Sequence, residues 1–183
     1  MAAHPEITAR DTARTEPRRD AYYLRLIGTA HSFFLFGVGA LVVGLILLPI
    51  VRILPATRSS KRRRARTVMS RSLRLFVAQM RAVGGLTYEF RNVERLGRPG
   101  QLIIANHPSL IDVVFLLAFT RGSGCVVKQG LWRNPVTRAA VTLAEYITDD
   151  PTSSMIAEAA AALQEGQTII MFPEGTRTTP NQT

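Results

Sequence analysis

The spacing of apolar residues divides the chain in two near residue 86. Residues 26–51 are 26 consecutive positions without a formal charge, rich in Leu, Val, Ile, Phe and Gly. As a helix this run would measure about 39 Å, more than the roughly 30 Å of a bilayer's hydrocarbon core. It is too long, and starts too far from the N-terminus, for a cleaved signal peptide. Pro49 and the small residues Gly37, Gly39 and Gly44 leave room for a kink or a shallow dip in place of a straight span. A buried core helix is the alternative use of such a run. Ahead of it, residues 1–25 lack an apolar period over most of their length and predict a disordered tail.

Over residues 68–83, Met69, Leu73, Phe76, Met80 and Val83 recur at steps of four, three, four and three. That is one stripe of an amphipathic helix. From residue 86 the period changes. Residues 86–91 alternate like a half-buried strand, and 101–105, 125–128, 145–148 and 167–172 read as further strands, the last stopped by Pro173. Helices are expected over 111–119, from Asn134-Pro135 to about 141, and over 152–165 ahead of Gly166. This alternation predicts an α/β fold: a mixed, largely parallel sheet with flanking helices, preceded by an N-terminal membrane helix and a basic amphipathic helix. Three regions result: a tail (1–25), a membrane-associated helical region (26–85) and an α/β domain (86–183).

Charge sharpens the division. The formal net charge is +10, yet residues 1–85 carry 15 Lys/Arg against 4 Asp/Glu, while residues 86–183 carry 8 against 9. Ten cations lie between Arg52 and Arg81 with no acidic residue among them. A basic amphipathic helix directly after an apolar segment suits an anionic membrane surface, each nearby cation adding about 1 kcal/mol. The arginine excess on this side also places residues 52 onward in the cytoplasm, beneath the inner membrane. Nucleic acid would account for the charges but not for the apolar stripe. Membrane lipids are therefore the expected partner, and nucleic acid is not. The single cysteine, Cys125, excludes a disulfide framework and a four-cysteine zinc site.

Two clusters carry candidate chemistry. In Asn106-His107-Pro108-Ser109-Leu110-Ile111-Asp112, a loop leaves the end of a strand and enters a helix. Such loops are where α/β sheets place reacting groups. A carboxylate at Asp112 can reach an imidazole at His107, fixing its tautomer and leaving the other nitrogen free as a general base. No serine sits in a Gly-x-Ser-x-Gly turn, which favours direct attack by a substrate hydroxyl. The second cluster is Phe172-Pro173-Glu174-Gly175-Thr176-Arg177-Thr178. There Gly175 lets backbone N–H groups approach an anion, Thr176 offers a hydroxyl, and Arg177 offers a planar fork suited to phosphate. Glu174 can orient Arg177 or a substrate hydroxyl. A turn carrying an exposed Glu–Arg pair is the plainer reading of that segment.

Taken together, NHPSLID and FPEGTRT, in this order and about 60 residues apart, resemble the lysophosphatidic acid (1-acylglycerol-3-phosphate) acyltransferase family. The resemblance covers roughly residues 68–178, including CVVKQGLWRNP between the motifs. It implies His107 as the base and Asp112 as its assistant, and it implies that Asn106, Glu174, Gly175, Thr176 and Arg177 bind substrate. It further implies an acyl thioester donor, acyl-coenzyme A or acyl-carrier protein, with no metal and no bound cofactor. Two departures stand out. Where the family has an Ile-Asp-Arg-like triplet, this chain reads Ile147-Thr148-Asp149-Asp150, with Asp150 near the place of the arginine. Family members also continue well past the FPEGTR motif, so the α/β domain is expected to be incomplete at its C-terminus.

The expected function is that of a membrane-bound O-acyltransferase of phospholipid biosynthesis, its catalytic part facing the cytoplasm. The alternatives are a truncated, inactive membrane-anchored remnant, and an acyltransferase acting on a different lyso-lipid or hydroxylated acceptor.

Overall fold

A computed structural model describes residues 19–106, 109–149 and 155–173. Of the expected tail, residues 1–18 lie outside the described residues, but the chain is already helical from Arg19. Residues 19–25 of the expected tail are therefore helical. Once nucleated, a helix adds one hydrogen bond per residue and runs on past the apolar stretch that started it.

Helix α1 (Arg19–Val42) passes through a π-helical turn (Val43–Leu47) into α2 (Leu48–Ile53). The wide turn falls directly before Pro49, whose ring and missing N–H disturb the regular ladder, and Leu48 N–H reaches back to the Val43 carbonyl. Gly44 in this turn is buried against another part of the chain: a Cβ there would lie 2.9 Å from the Val136 carbonyl oxygen. Around it, Leu48, Val51 and Ala65 form a small core with Val43, Val68, Ala139, Ala140 and Leu143. Elsewhere the segment Leu26–Ile53 is largely exposed, with 17% of its most apolar window buried. Phe33, Phe34 and Leu45 are each about two-thirds exposed. The run is therefore neither a core helix nor detached: its foot is docked, one side of its shaft rests on α3, and the rest is exposed.

Helix α3 (Arg58–Ala82) starts ten residues before the apolar stripe, capped by the Thr57 side chain accepting from Ser60 N–H. It packs along α1 through Phe36 and Phe76, 4.7 Å apart, and through Gln79 donating to Ser32 Oγ. Its arginines do not all face outward, as the sequence pattern implied. Arg66 is 4% exposed and donates to the carbonyls of Ala144, Gly122 and Glu145. Arg74 and Ser70 both donate to the Ala118 carbonyl. The physical reason lies in α4 (Leu110–Phe119) and α6 (Pro135–Leu143), neither of which has a basic residue in its last turn. Last-turn carbonyls have no partner within their own helix and favour a cation, and α3 supplies both needs from outside.

The sheet contains β1 (Leu102–Ile104), β2 (Gly124–Lys128), β3 (Ile147–Asp149) and β4 (Ile169–Met171), all parallel, in the order β1-β4-β2-β3. The short helix α5 (Gly130–Arg133) follows β2, and α7 (Met155–Gln164) precedes β4. One core joins Ile103, Cys125 and Ile170 of the sheet to Val141 of α6 and its C-cap Ala144, with Met69 of α3 and Leu116 and Leu117 of α4 against it. A second joins Ile147 and Ile169 to Ala159 of α7. Helices therefore cover both faces, and parallel strands require this. Residues 86–91 are not a strand. They pair with no strand among the described residues, and Tyr88 and Phe90 pack their rings on Phe115 and Phe119 of α4. Their alternation is satisfied by helix packing instead of a ladder.

Candidate functional site

All four strands point the same way, so their carboxyl ends share one edge of the sheet. β1 and β4 are neighbours, with Ile104 opposite Met171, and Ala105 N–H extends the pairing to the Met171 carbonyl at 3.2 Å. Each strand then leads within three residues into a motif singled out in the sequence: Asn106 and His107 after β1, Pro173 and Glu174 after β4. Neighbouring strands lie about 4.8 Å apart. The two segments, far apart in sequence, therefore leave the sheet side by side. His107, Glu174, Gly175, Thr176 and Arg177 themselves lie outside the described residues. Asn106 is described and exposed.

Asp112 is half-buried in the first turn of α4, where Ser109 is the N-cap. Its Oδ2 accepts from Ser109 N–H at 2.8 Å and from Ser109 Oγ at 3.0 Å. A carboxylate here meets the positive end of the helix as well as two donors, so its position is set before any imidazole or substrate arrives. Ser109 was not among the expected site residues. The signal for it was present in the sequence as a serine three residues ahead of an acidic one at the start of an apolar helix.

The central strand β2 brings a further cation to the same edge. Lys128 is its exposed last residue, in register with Asp149, the last residue of β3. The sequence reading passed over Lys128 because a single lysine makes no pattern. A usable signal was its rarity: it is one of only two lysines in a chain with 21 arginines, and it closes an apolar strand. Asp150, noted at the place of the family's arginine, lies outside the described residues. Cys125 is buried in the sheet, and burial pushes its thiol up to about 12, so it remains protonated and unreactive at neutral pH. Among the described residues no group of His, Cys, Asp and Glu could hold a metal ion.

A family model described as Acyltransferase matches residues 87–183 of this chain. The 1-acyl-sn-glycerol-3-phosphate acyltransferase of Pseudomonas aeruginosa is 28% identical over 160 residues, which is 84% of this chain and 60% of that protein. The crystal structure of the 1-acyl-sn-glycerophosphate (LPA) acyltransferase PlsC from Thermotoga maritima superposes with a TM-score of 0.69 at 20% identity, over 88% of this chain and 65% of that one. The chain thus spans less than two thirds of the length of either relative.

Proposed function

Because this chain belongs to the acyltransferase family, we propose that it moves a fatty acyl group from an acyl thioester to the hydroxyl of a lysophospholipid such as 1-acylglycerol-3-phosphate. The observation that supports this reading is the pairing of Ile104 with Met171, which starts both motif loops from adjacent strand ends. His107 takes the proton of the acceptor hydroxyl as its oxygen attacks the thioester carbonyl. The C–S bond then breaks, and the thiol leaves with that proton. A base so positioned contributes about 10²–10⁴ in rate. Asp112, held by Ser109, orients the imidazole and stabilises its positive form.

Arg177, with Gly175 and Thr176, binds the acceptor phosphate, Glu174 orients the arginine, and Asn106 lines the same edge. Lys128 adds a cation that can offset Asp149 and Asp150. The largely exposed apolar shaft of α1 and α2 lies in the cytoplasmic membrane, from which the lipid acceptor comes, with the sheet on the cytoplasmic side. The donor is acyl-coenzyme A or acyl-carrier protein, and no metal or bound cofactor takes part. An acceptor other than a simple glycerol phosphate is the second reading, favoured by Asp149 exposed at the end of β3.

Incubating the detergent-purified protein with acyl thioesters and a panel of lyso-lipids, and identifying products by mass spectrometry, tests this directly. His107→Ala should remove the product while the protein still sediments with membranes. Product formation by that variant at the wild-type rate would overturn the assignment.

A further inference from the structure

At the amino-terminal edge of the sheet, opposite the candidate catalytic edge, lies a cavity of about 400 Å³. Its floor comes from the loops that enter three strands: Gly97 and Pro99 before β1, Gly122 before β2, and Gly166, Gln167 and Thr168 before β4. Its wall is the start of α3, which contributes Ser59, Ser60, Arg62, Arg63 and Arg66, and Arg121 closes it. Four guanidinium groups and no carboxylate line the space.

These arginines are not equivalent. Arg62 is paired with Glu145 at 3.0 Å and Glu165 at 3.6 Å, outside the lining. Arg66 is held by three carbonyls and, among the described residues, has no carboxylate within ion-pair distance. Arg63 and Arg121 are exposed at the rim and have no ion pair among the described residues. Positive charge is therefore concentrated here beyond what the protein's own acids neutralise. The neighbouring cavity, about 890 Å³, differs in sign: Glu145, Glu158 and Glu165 line it alongside Arg58 and Arg62.

We propose that the Arg63–Arg66–Arg121 cavity is a phosphate-binding site separate from the candidate catalytic edge. The exposed Arg63 and Arg121 guanidinium forks match phosphate oxygens, the carbonyl-held Arg66 adds positive charge behind them, and the Ser59 and Ser60 hydroxyls offer neutral partners. The strands separating the two edges are three to five residues long, about 10–17 Å, more than the span of one phosphate, so one phosphate cannot serve both. The cavity also opens beside the first turns of α3, directly after Ile53 ends the apolar segment. That location suits the phosphate of an anionic lipid headgroup, and free phosphate has the same chemistry.

The test uses the full chain in detergent carrying Arg177→Ala, which removes the acceptor-phosphate fork of the proposed function, and titrates inorganic phosphate by calorimetry at constant ionic strength. Saturable binding to one site is expected, weakened about tenfold or more by Arg63→Glu with Arg121→Glu. Arg64→Glu with Arg71→Glu makes the same charge change on exposed positions outside the cavity, and should leave the affinity nearly unchanged. Absent saturation, binding indifferent to the rim substitutions, or equal loss in both double variants would each overturn the site. Cosedimentation with phosphatidylcholine vesicles, with or without phosphatidylglycerol, separates the sources. A preference for phosphatidylglycerol lost only in the rim variant identifies the lipid headgroup as the ligand. An unchanged preference alongside saturable phosphate binding identifies free phosphate. His107→Ala activity reports on the proposed reaction alone, so failure of one reading is distinguishable from failure of the other.

Discussion

Ile104 of β1 and Met171 of β4 are register partners on adjacent parallel strands, and each is followed three residues later by a residue of a candidate motif. The last strand in sequence lies between the first and second. Had β4 been added at the outer edge beside β3, the FPEGTRT segment would leave the sheet far from His107. This insertion is what makes a shared site possible.

The Ser109–Asp112 contact separates stability from catalysis. Ser109→Ala removes one donor to Asp112 and leaves the backbone donor in place. It should lower stability by about 1 kcal/mol while keeping transfer within about tenfold of wild type. Asp112→Asn keeps the shape but loses the charge that the proposed function assigns to orienting His107, and should reduce transfer by about 10²-fold or more. Thermal melts beside product assays distinguish the two effects. Equal losses of activity in both variants would remove Asp112 from the chemistry.

Arg66 joins α3 to the end of α6 and to the turn before β2. Arg66→Leu leaves the carbonyls of Ala144, Gly122 and Glu145 without this donor. At about 1–3 kcal/mol for each buried acceptor left unpaired, the loss should reach about 3 kcal/mol or more. Burial lowers the Arg66 pKa to about 10, so the group remains charged at neutral pH. Arg66→Lys should recover part of the loss, because an ammonium keeps the charge but not the fork. Heat-inactivation midpoints in detergent would show the order wild type, Lys, Leu.

Glu145 predicts a pH dependence. Burial alone would raise its carboxyl, but hydrogen bonds from Arg58 and Arg62 outweigh burial and hold it below the ordinary 4.5. A depressed carboxylate contributes fully above its unfolded pKa, and that contribution disappears as pH falls through the folded value. The wild-type melting temperature should therefore fall more steeply below about pH 4.5 than that of Glu145→Gln. Parallel curves for the two proteins would refute this.

Two glycines of the apolar helix should respond oppositely. A Cβ on Gly44 meets the Val136 carbonyl oxygen at 2.9 Å, whereas one on Gly37 meets nothing within 4 Å. Gly44→Ala forces the foot of the helix off α6 and should cost about 1–3 kcal/mol. Gly37→Ala should be neutral or stabilise by up to about 1 kcal/mol through helix propensity. Proteolysis between α2 and α3 would report the difference.

Much of this architecture was legible in one dimension. The apolar run, the stripe on α3, four of the five expected strands and the helices over 111–119 and 135–143 follow from local period and punctuation. Local spacing acts within one or two turns and needs no distant partner. The misreadings fall where a distant partner intervenes. Arg66 reads as a surface cation until the carbonyls at the end of α6 and in the turn before β2 are placed against it. Residues 86–91 read as a strand until Phe115 and Phe119 offer their rings a helix to pack on. Lys128 reads as an ordinary lysine until the β2 register sets it beside Asp149.

The residue pattern therefore suffices for the kind of fold, for the membrane-compatible front and for the two motifs as chemical candidates. Folding alone decides strand order, which helix ends receive which arginines, and the two opposite edges where charge collects. Those outcomes depend on which non-local pairings bury the most apolar surface while satisfying every buried carbonyl, a competition that no stretch of sequence resolves in isolation.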